Sequence, residues 1–325
     1  MPSAQPLVPD SSLATDGSRP QDDFLGRIFA DVELPADGRT ATRFSETPGE
    51  RARRVALGLA YALKPPRLSG FPALAAFTAG KLLTGDRALP FAQDALRNPD
   101  GLCGIAGRLD PETLVEGYRR GLHVHSHVGP IKWWAPRERM VLFLPELHIA
   151  KSLRRVIRNG GYRVTFDRAF VDVMEACRRP RAGKVPLTWI TPRIMTAFEA
   201  AHRAGYAHSF EVWNAADDLV GGGFGLAFGR VFSTESQFSL ESNTSKIGFT
   251  VLNWHLARWG FLLNDGKHFT RTIDSMNFRP IPRAEYTAIC ARAGRAEDRP
   301  GPWTSETDLA TVAAWNPAAT ASPGR

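Results

Sequence analysis

Residues 188–246 constrain the fold more than any other stretch of this chain. Ile194, Ala197, Phe198 and Ala201 recur at three and four residues, the spacing of one buried helix face, and Gly205 ends the run. Ala207-His208-Ser209-Phe210-Glu211-Val212-Trp213 then alternates, placing Phe210 and Val212 on one face of an extended segment and Glu211 and Trp213 on the other. A turn at Asn214 to Asp218 leads into Leu219-Val220-Gly221-Gly222-Gly223-Phe224-Gly225, and Phe232-Ser233-Thr234-Glu235-Ser236-Gln237-Phe238-Ser239 closes the stretch. The order expected is helix, strand, turn, strand. No Lys-Ser/Thr follows the glycines, so they read as close strand packing and not as a phosphate loop.

The flanks are different in kind. Residues 1–50 are rich in Pro, Ser, Asp and Gly and have neither a basic start nor an apolar run like a signal peptide, so a flexible leader is expected there. Residues 51–88 hold two apolar runs split by Lys64-Pro65-Pro66-Arg67, each too short to span a bilayer. They predict a helical extension of two packed helices, with no membrane partner. From residue 293 the chain returns to Pro, Thr, Ala and Gly, the composition of a flexible tail. Cys103, Cys177 and Cys290 are far apart and form no C-x-x-C pair, which favours a reducing cytoplasm and no disulfide. No heptad pattern asks for a partner helix, so a monomer is expected.

Residues 89–135 read as a small module. Asn98-Pro99-Asp100-Gly101 is turn chemistry, and Asp110 caps a helix that has Pro111 at its first position, runs to Arg120 and stops at Gly121. In Leu122-His123-Val124-His125-Ser126-His127-Val128 three histidines would share one face of a strand and resemble a metal triad. No carboxylate lies nearby to orient them, so no metal is assigned and a polar segment near a cleft is expected.

Charge supplies the next step. The chain carries a net charge of +8, and the excess is clustered. Lys151, Arg154, Arg155 and Arg158 form one stripe of a helix whose Leu147, Leu153, Val156 and Ile157 supply a docking face. Arg178, Arg179, Arg181 and Lys184 form a second patch. Beside Trp133, Trp134 and Trp189 these basic groups suit a phosphate backbone whose unpaired bases stack on aromatic plates. Trp189 and Trp213 equally suit a core.

Pro99-Asp100-Gly101-Leu102, Tyr118-Arg119-Arg120-Gly121, Trp133-Trp134-Ala135-Pro136-Arg137, His148-Ile149-Ala150-Lys151-Ser152-Leu153-Arg154-Arg155, Thr188-Trp189-Ile190, Ala207-His208-Ser209-Phe210-Glu211-Val212-Trp213, Leu219-Val220-Gly221-Gly222 and Glu235-Ser236-Gln237-Phe238-Ser239 carry, in order, a resemblance to the bacterial leucyl/phenylalanyl-tRNA-protein transferases. It implies an α+β chain: a smaller N-terminal α/β module over 89–135, then an acetyltransferase-like (GNAT-like) catalytic domain over 136–292 with a mixed sheet flanked by helices. It also implies a reaction in which the N-terminal amine of a protein starting with Lys or Arg attacks the ester of leucyl- or phenylalanyl-tRNA. That ester is already activated, so no cofactor is required. By the same resemblance Trp189 would stack on the terminal adenosine, Glu235 would organise that pocket, and Asp265 would handle the attacking amine. Phe224 and Phe238 would line the aminoacyl pocket; Trp133 and Trp134 stay substrate-binding plates on the strength of the basic clusters beside them. Lys151, Arg154, Arg155 and Arg158 would hold the acceptor stem.

Departures from the family pattern fall at the centre of the implied site. His123-Val124-His125 stands where the family shows Phe-Pro-Trp, so His125 replaces one aromatic plate. Asp265-Gly266-Lys267 stands for Asp-x-Gln. Lys267 would keep Asp265 ionised and pair with it, or, if neutral, act as the base itself. Ser275-Met276-Asn277 replaces Ser-Leu-Gly, and Thr234 replaces the glycine before Glu235. A relative that binds tRNA without turnover is the alternative reading.

Overall fold

The computed structural model describes residues 44–63, 68, 70–84, 88–127, 129–180 and 187–320. The expected leader lies outside them as far as residue 43, as do the Lys64 to Arg67 split, Val128, Arg181 and Lys184. The chain is α+β. A small antiparallel sheet holds β1 (Leu102–Ile105), β2 (His123–His125) and β3 (Lys132–Trp134) in the order β1-β3-β2. The large sheet contains β4 (Glu138–Phe143), β5 (Arg163–Phe166), β6 (Ala207–Trp213), β7 (Leu219–Phe228), β8 (Val231–Ser239), β9 (Leu263–Lys267) and β10 (Arg279–Pro282). Its order is β10-β4-β9-β8-β7-β6-β5. All neighbours are antiparallel except β8 and β9, which run parallel.

The helices are α1 (Pro48–Ala62), α2 (Phe71–Thr84), α3 (Pro111–Arg119), α4 (Lys151–Asn159), α5 (Phe170–Arg178), α6 (Pro192–Arg203), α7 (Thr244–Arg258), α8 (Arg271–Asp274), α9 (Arg283–Arg292) and α10 (Leu309–Ala314). Helix α3 starts where its sequence says, with the Asp110 side chain accepting from the Thr113 amide at 2.8 Å. Helix α7 is the crossover that parallel β8 and β9 need. It packs closely on the sheet, because a Cβ at Gly248 would lie 2.5 Å from the Phe210 ring. On that face Phe210 and Val212 meet Ile247, Val251 and Leu252 of α7 and Leu153 and Ile157 of α4. The opposite face packs Phe224, Leu226 and Phe228 against Val173 of α5, Phe198 of α6 and Tyr118 of α3.

Two expectations need correction at the ends of the chain. The last residues of the supposed leader are ordered: Phe44 is buried, and Thr47 and Glu50 form a capping box for α1. The supposed tail is also packed. Trp303 stacks on His208 at 3.6 Å between ring centroids, while its amide donates to Asp167 at 2.7 Å. Val312, Ala313 and Trp315 are buried, and the Glu306 amide donates to His255 Nε2. Composition concealed this strap because two tryptophans and a valine do the burying in a sequence otherwise made of small and polar residues. Gly205, at φ +80°, both turns the chain after α6 and leaves room for the strap, since a Cβ there would lie 2.2 Å from the Gly301 amide. The Trp303→Ala variant should lose about 3–5 kcal/mol of unfolding free energy in urea titration; a change below about 1 kcal/mol would show that the strap is not part of the core.

Candidate active site

Strands β4, β8 and β9 converge on a buried ionic network. Asp265, on β9, is fully buried. Arg139, on the neighbouring β4, grips it with both arms, Nε to Oδ1 and Nη2 to Oδ2, each at 2.8 Å. The Ser233 hydroxyl (2.6 Å), the Tyr286 hydroxyl (3.1 Å) and the Lys267 amide (2.9 Å) donate to the same carboxylate. Its oxygens are saturated. Burial alone would raise the Asp265 pKa, but the Arg139 guanidinium and these donors hold it well below the usual carboxylate range. On its other side Arg139 donates to His123 Nδ1 at 2.7 Å. Burial, then Arg139, pushes the His123 pKa far below its ordinary value, so the ring is neutral with its proton on Nε2.

Lys267, two residues after Asp265, has a left-handed backbone, φ 63°. Its ammonium does not pair with Asp265 as expected but turns to Glu235 on β8, 2.8 Å from Oε1. It also donates to the Ser233 hydroxyl (3.0 Å) and the Thr234 carbonyl (2.6 Å). Three hydrogens meet three acceptors, an arrangement for the charged form and not for a neutral base. The Tyr118 hydroxyl from α3 also donates to Glu235 Oε1, at 2.7 Å. Glu235 Oε2 is buried and has no hydrogen-bond partner among the described residues. Burial raises the Glu235 pKa, with Lys267 and Tyr118 opposing it. A cavity of about 490 Å³ opens where Lys267, His268 and Phe269 face Asp100, Pro136, Arg137, Glu138 and Met140.

Beside this network the expected plates Trp189 and His125 meet at 5.4 Å between centroids, 31° from parallel. His125 Nε2 lies 3.3 Å from His127 Nε2, and Trp134 Nε1 donates to the His125 carbonyl at 3.0 Å. Burial, then His127, pushes the His125 pKa down to about 3. The other expected contacts divide. Trp133 is core: it lies under α3, and a Cβ at Gly117 would come within 2.5 Å of its ring, so it offers no stacking surface. Phe224 is likewise enclosed, edge-on to Phe198 and Phe170, and Phe238 is buried close to Gly222. On α4, Lys151, Arg155 and Arg158 are exposed. Arg154 departs from the stripe, because its Nη1 donates to the Ala313 and Trp315 carbonyls at 2.8 and 2.6 Å and ties down the strap.

Arg139, Tyr118, Ser233 and Tyr286 escaped sequence reasoning, while His123 was read as part of a polar segment near a cleft and not as a partner of Arg139. Arg139 had a faint signal: it stands two residues before Val141 in a strand pattern and so shares that residue's face.

A family model described as leucyl/phenylalanyl-tRNA protein transferase matches residues 141–291. The leucyl/phenylalanyl-tRNA–protein transferase of Pseudomonas syringae pv. syringae (strain B728a) is 45% identical over 204 residues, covering 62% of this chain and 88% of that protein. The chain belongs to the leucyl/phenylalanyl-tRNA–protein transferase family. A Thiobacillus denitrificans member is 43% identical over 216 residues, 66% of this chain and 94% of its own. Among solved structures, FemX aligns at a TM-score of 0.34 with 10% identity, covering 54% of this chain and 60% of that one, a likeness too low to carry an argument. The family match stops short of α1, α2 and the strap.

The Arg139→Met variant of this family member should lose about 3–5 kcal/mol at pH 7, the cost of leaving a buried carboxylate alone. The pH dependence should also change sign. In the wild type the folded pKa of Asp265 lies below the unfolded value of about 3.9, so its contribution is complete above that pH and lost as pH falls further. Without Arg139, burial lifts the folded pKa above the unfolded one, and stability should rise as pH falls from about 7 towards 4. Urea denaturation across that range checks it; a variant with the wild-type acid limb would contradict the assigned pairing.

Proposed function

We infer that the protein transfers leucine or phenylalanine from the 3′ end of aminoacyl-tRNA to the N-terminal amino group of proteins that begin with Lys or Arg. Family membership along nearly the whole length of its relatives, 88% of one and 94% of another, carries this reading. The reaction is aminoacyl transfer. The amine attacks the ester carbonyl, an amide forms as the ester C–O bond breaks, and the terminal ribose hydroxyl leaves with a proton. The donor ester is already activated, so the protein must align two substrates, remove the ammonium proton and stabilise the oxyanion. The same reading places the reaction in the cytoplasm with charged tRNA, and takes the β8-α7-β9 crossover as the core of a GNAT-like domain.

Within this reading the residues take distinct roles. Trp189 and His125 separate to admit the terminal adenine. The exposed Lys151, Arg155 and Arg158 hold the acceptor stem, and Arg154 supports their helix through the strap. Glu235 is the better proton acceptor of the two carboxylates. Its Oε2 has no partner among the described residues and burial raises its pKa, whereas Asp265 has no lone pair to offer. Asp265 acts through others: it fixes Ser233, which with Glu235 fixes the Lys267 ammonium, a positive charge for the developing oxyanion.

The test is transfer of labelled Leu and Phe from charged tRNA to an Arg- or Lys-starting protein. Wild type should transfer, and Trp189→Ala should raise the KM for aminoacyl-tRNA about 5- to 100-fold, the range for losing one stacked base. No transfer to any basic N-terminus would overturn the reading, and tRNA binding without turnover would favour the binding-protein alternative. Glu235→Gln should lower kcat by about 10²–10⁴ with little change in tRNA binding, as loss of a proton acceptor requires.

A further inference from the structure

Helix α1, outside the residues the family model matches, is attached to the site at both ends. Near its C-terminus the Tyr61 ring meets His127 edge-on at 5.2 Å, and His127 leads through His125 to Trp189. At the other end Arg54 grips Glu46 through Nε and Nη2, both at 2.8 Å, and Glu46 also faces Arg178 of α5 at 3.6 Å. A cavity of about 240 Å³ lies between these helices and opens beside Thr188, the residue before Trp189. Four arginines line it: Arg53, Arg54, Arg178 and Arg179.

The carboxylates in the same cavity are already engaged. Glu46 is shared by Arg54 and Arg178, Glu50 closes the capping box with Thr47, and Glu175 pairs with Arg178 at 3.6 Å. The ion pairs of Arg54 and Arg178 are enough to dock α1. Arg53 and Arg179 take no part in that docking; they are exposed, and no carboxylate lies within 4.0 Å of either among the described residues. The cavity therefore offers two uncommitted guanidinium groups beside the stacking plate. Guanidinium forks match phosphate oxygens, and 240 Å³ has room for one phosphodiester.

We propose that this cavity is a phosphate subsite for the single-stranded 3′ end of the tRNA, in which Arg53 and Arg179 hold the phosphodiester next to the adenosine stacked on Trp189. The proposal rests on the transfer reading above. The extension α1 thereby becomes part of the nucleic-acid interface: the α4 stripe takes the stem, and the cavity takes the strand that leaves it.

The experiment uses the full chain and an Arg53→Gln/Arg179→Gln double variant, with intact Phe-tRNA and a tRNA lacking its 3′-terminal nucleotides as probes. The variant should bind Phe-tRNA about tenfold more weakly, with a salt slope flatter by about 0.7 per arginine, the single-strand value. It should raise the KM for Phe-tRNA in transfer while sparing kcat, and bind the truncated tRNA as wild type does. Unchanged binding of Phe-tRNA would overturn the proposal. So would equal weakening for both tRNAs, which would make the arginines part of a diffuse field, or a fall in kcat alone. If wild type binds Phe-tRNA but transfers nothing, the transfer reading itself falls, a result separate from any effect of the two arginines.

Discussion

The Arg139–Asp265 pair is the constraint on which the centre of the molecule depends. It joins adjacent strands of the large sheet, and each partner reaches a further element: Arg139 the small sheet through His123, Asp265 helix α9 through Tyr286. Isolated buried charges are costly, and such a pair is tolerated only with good geometry and every remaining lone pair satisfied. Those conditions are met, and they fix side chains from both sheets relative to one another. An apolar pair of equal volume would hold the strands as well but would leave Ser233 and Lys267 without an anchor.

What the sequence disclosed and what it hid follow a physical division. Helix α6, strand β6, the Asn214 to Asp218 turn and β7 were legible because periodicity, glycine and turn chemistry are local. So was α3, whose cap and proline lie next to each other in the chain. The ionic network was not, because its members lie far apart in sequence: Tyr118 reaches Glu235 and Arg139 reaches Asp265 only through the fold. Motif likeness pointed to Asp265, Glu235 and Lys267, but only geometry shows that the lysine serves Glu235. Trp133 and Arg154 went astray for a single reason. Residue type gives affinity for a ligand, whereas orientation decides whether the core or the strap claims the side chain first.

The segments beyond the family match have physical roles in what the family part can do. The strap neutralises the carbonyls of its own end with Arg154, removing one cation from the α4 stripe, and it covers His208 with Trp303. At the other end α1 leaves Val55, Leu59 and Leu63 exposed, and its contacts include ion pairs and the ring contact of Tyr61.

The lysine at position 267 brings the buried ionic groups of the site into charge balance. Two carboxylates, Asp265 and Glu235, face two cations, Arg139 and Lys267, while burial keeps His123, His125 and His268 below their ordinary pKa values. A neutral side chain at 267 would remove that charge from beside Glu235, and burial would then raise its pKa further. The ammonium therefore opposes the effect of burial on Glu235 and places a positive charge within one hydrogen bond of Oε1. The left-handed backbone at Lys267 is what turns the side chain from Asp265 towards Glu235, and the amide that this conformation presents to Asp265 replaces the contact the side chain gives up.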